Sequence, residues 1–370
     1  LDRLFKVLNT KDNSKEASHF KEFPYVNGDL FRDAIISPKF TKEARKIIIE
    51  CGDLDWSEIN PDIFGSMIQA VVNPAYRSGL GMHYTSVPNI MKVIEPLFLN
   101  ELYEDFEKHK ENTKKLRQLI YRISKLKIFD PACGSGNFLI IAYKELRKLE
   151  IKIWQQINEL EPQYSFVFTE VKLSQFYGIE LDDFAHEMAI LSLWLAEHQM
   201  NKIFTDELFD FGRAKPILPL KEAGHITQGN ATRLNWEDTC PKNSTDEIYI
   251  LGNPPYLGYK GWDSEQKKDM SLVFQGMGTV KRLDYIGCWF KKGADYIKGF
   301  NAQLAFVSTN SICQGEQVPL LWPYIFRKNI EIGFAHSSFK WTNNAKFNAG
   351  VSVVIIGLQN KDQTSKKIYD

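Results

Sequence analysis

Phe129-Asp130-Pro131-Ala132-Cys133-Gly134-Ser135-Gly136-Asn137-Phe138-Leu139 is the stretch on which the fold turns. Lys127 to Asp130 reads as a short strand ending in an acid, Pro131 to Gly136 as a tight turn, and Asn137 to roughly Glu161 has the apolar spacing of a helix. Glycines at 134 and 136 let the backbone approach a ligand where a Cβ would collide, and they help bend the strand into the helix. The first turn of that helix offers N–H groups with no intrahelical partner, suited to a carboxylate or another anionic group. Neither the three-glycine dinucleotide series nor a Gly-Lys-Ser/Thr phosphate loop is present. A tight strand-to-helix turn with no ligand remains the plain alternative.

Working outward, strand and helix alternate. Phe176-Tyr177-Gly178-Ile179-Glu180 reads as a second strand with an apolar helix at 183–198, and Ile248-Tyr249-Ile250-Leu251 as a third. A helix follows at 284–298, and Ala302 to Ser308 is a fourth strand. Near the end, Ile330-Glu331-Ile332-Gly333-Phe334 and Val351 to Ile356 read as strands with no adequate helix between them, so a hairpin edge is expected. The alternation predicts an α/β fold: a mostly parallel twisted sheet with helices on both faces and a C-terminal antiparallel strand. Ligands should gather beyond the carboxyl ends of the strands.

Upstream, residues 1–60 read as a linker or partial helical domain, with helical spacing at 41–50. Residues 61–124 read as a helical segment: Ile63, Met67, Ile68 and Val71 follow Asn60-Pro61, helices are expected at 87–99 and 101–124, and the latter is interrupted near 108–112. Residues 125–358 form the expected core, and 359–370 a polar tail leading to a missing region.

Composition narrows the class. The chain has 370 residues, 44% of them hydrophobic, which suffices for one large domain with a smaller attachment. No apolar run is long enough to span a bilayer and no secretory leader opens the chain, so a cytoplasmic protein without membrane contact is expected. Cys51, Cys133, Cys240, Cys288 and Cys313 lack the spacing of a disulfide framework or a zinc site, and no metal is expected. Lys plus Arg equals Asp plus Glu at 46 each. That balance weighs against a tight autonomous nucleic-acid binder but allows a local basic groove.

Two further features carry chemistry. Glu180 closes its strand, and a carboxylate there can accept hydrogens from both hydroxyls of a ribose; an ordinary strand-end acid is the alternative. Leu251-Gly252-Asn253-Pro254-Pro255-Tyr256 follows an apolar strand. The prolines narrow φ and remove N–H donors, which gives a stiff loop. The Asn253 side-chain carbonyl and the Pro254 backbone carbonyl are acceptors that can converge on a planar amine. Tyr256 can stack on a base, a contact worth roughly 1–3 kcal/mol. Such a pair of acceptors aligns an exocyclic amine and favours the positive charge that grows as its nitrogen is alkylated. A merely structural proline turn is the competing reading.

In this order, Gly81-Met82-His83-Tyr84-Thr85-Ser86, the segment Asp130 to Phe138, Gly178-Ile179-Glu180-Leu181-Asp182 and Gly252-Asn253-Pro254-Pro255-Tyr256 resemble class I S-adenosylmethionine-dependent DNA adenine-N6 methyltransferases. The similarity is closest to the methyltransferase part of single-chain Type II restriction-modification enzymes and covers about residues 60–358. It implies a Rossmann-like methyltransferase fold, S-adenosylmethionine as cofactor and double-stranded DNA as partner. By resemblance, His83, Tyr84 and Thr85 fold over the methionine end of the cofactor, and Asp130, Gly134 and Gly136 surround it, with Ala132, Cys133, Asn137 and Phe138 in the same binding segment. Glu180 holds the ribose and Leu181 packs near the adenine. Asn230 and Ala231 match a cofactor segment that often has an acid where this chain has Asn230. Asn253 also borders the cofactor, Asn253, Pro254, Pro255 and Tyr256 form the catalytic loop, and Trp341 and Phe347 fall in a segment that helps build the target-base pocket.

Lys260, Lys267, Lys268, Lys281 and Arg282 are candidates for phosphate contact near the entrance. Related chains carry an endonuclease region before the methyltransferase and a target-recognition region after it, and neither is evident in this sequence. The expected reaction is methyl transfer to N6 of a flipped adenine. Protein glutamine N5 methylation, or a non-catalytic DNA-binding scaffold, are the alternatives.

Overall fold

A computed structural model describes residues 1–26, 36–54, 85–162, 164–215, 224–277, 280–340, 352–362 and 365–370. The helix expected after Asn60-Pro61 lies outside the described residues, as do His83, Tyr84, Trp341 and Phe347. Three short helices come first: α1 (Asp2–Leu8), α2 (Ser18–Lys21) and α3 (Lys42–Gly52), the last capped by the Thr41 hydroxyl, which accepts from the Ala44 N–H. A longer helical run follows as α4 (Val87–Ile94), a π-helical turn (Glu95–Leu99) and α5 (Asn100–His109). The π turn falls where Pro96 withholds an N–H from the helical ladder. After the expected break, Asn112 caps α6 (Thr113–Ile123).

The core is an eight-stranded sheet formed by β1 (Leu126–Asp130), β3 (Phe176–Glu180), β5 (His225–Gln228), β6 (Glu247–Gly252), β7 (Ala302–Thr309), β8 (Ile330–Lys340), β9 (Ser352–Asn360) and β10 (Lys367–Tyr369), in the order β10-β8-β9-β7-β6-β1-β3-β5. Short β2 (Val167–Phe168) and β4 (Gly212–Arg213) pair separately. Within the large sheet β9 alone runs antiparallel to its neighbours, pairing with both β7 and β8. The hairpin expected from the last two apolar runs is therefore present, but it is not the edge. Residues 367–369, inside the stretch read as a polar tail, add β10 parallel to the outer side of β8.

Alternation of side chains along each strand builds two apolar layers. Ile128, Tyr249, Leu251, Ala305, Val307, Val353 and Ile355 face one side, where α7 (Asn137–Leu160) and α8 (Asp183–Glu207) pack with α4 to α6. Phe129, Ile248, Ile250, Leu304, Phe306, Val354 and Ile356 face the other. There they meet α9 (Trp236–Thr239), α10 (Ser264–Val273), α11 (Gly287–Ile297) and α12 (Gln317–Phe326). The first layer contains a fully buried ion pair, Arg147 Nε to Glu150 Oε2 at 3.2 Å.

From β1 the chain moves outward through β3 to β5, then returns to place β6 on the opposite flank of β1. The carboxyl ends of β1 and β6 therefore border a topological switch point, where open α/β sheets bind ligands.

Candidate active site at the carboxyl ends of the central strands

Four strand ends supply the site. At the end of β1, Asp130 is 1% exposed; its Oδ1 accepts the Ala132 N–H at 3.0 Å, and its Oδ2 is buried with no hydrogen-bond partner. Burial pushes the Asp130 carboxyl up to about 8, with the Ala132 N–H opposing the shift and the Glu180 charge adding to it. The turn that follows is held from both sides: the Cys133 N–H donates to the Ile179 carbonyl at 3.1 Å, and the Gly136 N–H to the Cys133 carbonyl at 2.8 Å. Gly134 and Gly136 adopt φ of 55° and 85°, the left-handed region in which a side chain is strained. At Gly134 a Cβ would meet nothing within 4 Å among the described residues. The first N–H of α7 to return to the helix is that of Ile140, which donates to Gly136 at 2.8 Å, leaving the preceding N–H groups at an open helix start.

At the end of β3, Glu180 binds the glycine turn directly. Its Oε2 accepts the Gly134 N–H at 2.7 Å and its Oε1 the Asp182 N–H at 2.9 Å. Burial raises its carboxyl, and backbone N–H groups of Asp182, Gly134 and Leu181 pull the other way. Leu181 is 53% exposed, an apolar side chain left in the open beside this carboxylate. Asp182 turns the chain into α8 by capping Ala185 N–H at 2.8 Å.

After β5, the Gly229 N–H donates to the Glu180 carbonyl at 2.7 Å, which brings the Asn230 loop against β3. The Asn230 Oδ1 accepts from the Thr232 N–H and hydroxyl at 2.9 and 2.6 Å, and its Nδ2 donates to Asp269 Oδ2 at 3.0 Å. Both lone pairs of that carbonyl are thus engaged within the chain, and only the second amide hydrogen is left to offer. Lys292 on α11 donates to the Thr232 and Leu234 carbonyls at 3.1 and 2.5 Å, and burial lowers its ammonium to about 8.

At the end of β6, Gly252 has a φ of 150°, and the next residues are the proline loop. The Asn253 Nδ2 donates to Thr85 Oγ1 at 3.4 Å, and its Oδ1 is buried without a partner among the described residues. Pro254 is buried, while Pro255 and Tyr256 are half-buried. Burial, with the charge of Asp284, pushes the Tyr256 hydroxyl up to about 12, so the ring presents a neutral phenol.

The topology thus brings together Thr85, Asp130, the glycine turn, Glu180, Leu181, Asn230 and the Asn253-to-Tyr256 loop. Other expected positions serve the scaffold with their side chains. Phe138 and Cys133 lie in the apolar layer under α7, Ala231 lies in the opposite layer, and the Asn137 amide accepts from Ser135. The Cys133 thiol is raised by burial and stays neutral. Among the basic candidates, Lys268 and Arg282 pair with Glu265 and Glu316, and Lys281 lies over the Tyr259 ring.

A family model described as MmeI, DNA-methyltransferase domain, matches residues 106–370. The chain belongs to this family. Its members include methyltransferases of restriction-modification systems, and the sheet is the class I methyltransferase fold that the sequence motifs led us to expect. DNA methyltransferase A of Bacillus subtilis (strain 168) is 54% identical over 355 residues, covering 96% of this chain and 40% of that relative. The structure of the Type IIL restriction-modification enzyme MmeI in complex with DNA superimposes with a TM-score of 0.91 at 41% identity, covering 99% of this chain and 49% of the other. A type I restriction-modification methyltransferase subunit from Streptococcus thermophilus shares the fold, with a TM-score of 0.50 at 16% identity over 97% of this chain and 61% of that one. The chain therefore spans less than half the length of the first two.

Beside these residues, sequence reasoning does not single out Asp269. Its carboxylate gathers Asn230, the Arg233 guanidinium at 2.6 Å and the Tyr285 hydroxyl at 2.8 Å. Its setting in Glu265-Gln266-Lys267-Lys268-Asp269 looks like a solvated helix face. The one available signal is Met270 beside it, which marks the buried stripe of α10.

Proposed function

We propose that this chain is the modification module of a restriction-modification enzyme and transfers a methyl group from S-adenosylmethionine to N6 of an adenine flipped out of double-stranded DNA. The observation that carries this reading is Asn253: its amide nitrogen is tied to Thr85, and its carbonyl oxygen is a buried acceptor with no partner among the described residues. A buried acceptor without a donor costs free energy on the order of 1–3 kcal/mol, which a substrate amine recovers.

The residues present fit the cofactor. Among the described residues Asp130 Oδ2 is a second buried atom without a partner, where a cationic amine would draw the proton off the carboxyl, and Glu180 is fixed by backbone N–H groups at the strand end, where vicinal hydroxyls can donate to it. Leu181 offers an exposed apolar surface to a planar base. S-adenosylmethionine, when bound, supplies a methyl group activated by a sulfonium. Asn253 Oδ1 and the Pro254 carbonyl then accept the two amine hydrogens, which turns the nitrogen lone pair out of conjugation and stabilises the charge forming on it. Tyr256 stacks on the base, and residues 125–358 act as the catalytic core. Lys260 and Lys267, both exposed, remain for the phosphates.

The test is methyl transfer. Purified protein is incubated with labelled S-adenosylmethionine and unmethylated duplex DNA, the DNA is digested, and its nucleosides are separated. Label in N6-methyl-2′-deoxyadenosine is expected. Label only in a cytosine, or only in a protein glutamine, overturns the assignment, and cofactor binding without transfer favours a scaffold.

A further inference from the structure

We infer that Asp284 is a positioning residue that sets the angle of the amine-holding loop; the inference rests on the reading above. Pro254 and Pro255 stiffen the loop but contribute no N–H groups with which to fasten it. With the Asn253 side chain tied to Thr85, the stiff proline pair takes its orientation from the residues on either side of it. One end is Gly252, lodged against Asp130. The other is Leu257, whose backbone is engaged at both groups: its N–H donates to Asp284 Oδ1 at 2.8 Å, and its carbonyl accepts from the Tyr285 N–H at 3.0 Å and from Trp262 Nε1 at 2.7 Å.

Asp284 is itself immobilised. It is 7% exposed, its Oδ1 also accepts the Ile286 N–H at 3.2 Å, and its own N–H donates to Gln317 Oε1 at 3.0 Å. A continuous set of bonds thus runs from the start of α12 through Asp284 to the residue next to Tyr256. A carboxylate is well suited to this place, because two converging backbone donors share one charged oxygen in a buried setting. Asp284 need not touch a substrate to matter. If its bond to Leu257 is lost, the Asn253 and Pro254 carbonyls move as a unit, and displacement of about 1 Å at a reacting group can cost about 100-fold in rate.

The experiment compares Asp284→Ala, which removes the acceptor, with Asp284→Asn, which keeps a carbonyl oxygen in its place. Three quantities are read: the single-turnover rate of methyl transfer to adenine-containing duplex, the cofactor affinity by calorimetry, and the indole N–H resonance of Trp262, assigned with Trp262→Phe. Asp284→Ala should slow transfer about 100-fold, leave cofactor affinity unchanged and shift the Trp262 resonance, while Asp284→Asn restores most of the rate and the resonance. Wild-type turnover in Asp284→Ala, a loss of cofactor affinity in step with the rate, or an Asp284→Asn enzyme as slow as the alanine variant overturns the role. Should wild type fail to methylate adenine, the functional reading falls, and the Trp262 resonance still decides whether Asp284 holds the loop. Should Asp284→Ala not fold, Gln317→Ala loosens Asp284 from behind and is expected to give the same pattern with smaller amplitude; an unchanged rate and resonance there overturn the proposal.

Discussion

A β-carbon at Gly252 would stand 2.5 Å from Asp130 Oδ1. The ends of β6 and β1 therefore meet so closely that only glycine fits between them, and a φ of 150° excludes other residues independently. Gly252→Ala should cost on the order of 1–3 kcal/mol of stability. It should also weaken cofactor binding by displacing Asp130. Denaturant titration and calorimetry of the variant measure the two effects, and an alanine variant with wild-type values would show that the approach is not required.

Asn253→Ala removes the unpartnered carbonyl and its tether to Thr85 together. Loss of a preorganised acceptor at a centre of growing charge slows turnover by about 100- to 1,000-fold. Much of the cofactor affinity should hold, since the contacts proposed for the cofactor lie mainly on β1 and β3. Single-turnover kinetics beside calorimetry separate these outcomes.

Protonation of Asp130 gives a pH dependence with a definite sign. Its carboxyl rises from 3.8 to about 8 in the folded chain, first because burial strips its water. The folded state thus keeps a proton that the unfolded state has already released, so this group's contribution to stability falls as pH rises from about 4 through about 8. Glu180 and Asp284 are raised too and slope the same way. Asp130→Asn should flatten the curve of denaturation midpoint against pH in that window, and a wild-type slope in the variant would contradict the assignment.

The buried Arg147–Glu150 pair sits far from any expected chemistry. Glu150 Oε2 also accepts the Thr169 hydroxyl at 2.7 Å, and Arg147 donates to Asn201 Oδ1 at 3.1 Å and the Met200 carbonyl at 3.3 Å. The pair links α7, α8 and the segment before β3. Glu150→Ala leaves a guanidinium buried without its counter-charge and should destabilise by about 3–5 kcal/mol. Replacing both residues with apolar ones of similar volume should cost much less, and chemical denaturation of both variants tests the contrast.

The parts of the fold legible in the sequence were those whose physics is local. Phe176 to Glu180 is recovered at its full span because a continuous apolar run ends at an acid, and α7 is recovered to within a residue because its spacing persists over many turns. β5 escaped notice: His225-Ile226-Thr227-Gln228 has one strongly apolar residue and is a strand because β3 offers it an edge. β10 and α12 are equally tertiary, the one formed on β8 and the other containing Pro323. The same division holds at the site. Asp130, Glu180 and Asn253 announce themselves at strand ends, whereas the ties of Glu180 to Gly134, of Asn253 to Thr85 and of Asp284 to Leu257 join residues distant in sequence. No local pattern encodes them.

The reversal of direction at β1 has a consequence for how the molecule is made. Leu126 pairs with Glu247, so the middle of the sheet closes only after the ribosome has delivered β6. Before that, β1, β3 and β5 can form only half a sheet, with the flank of β1 bare. Synthesis halted short of β6 would leave the glycine turn complete and no pocket around it, with an open strand edge on which chaperones or other nascent chains can act.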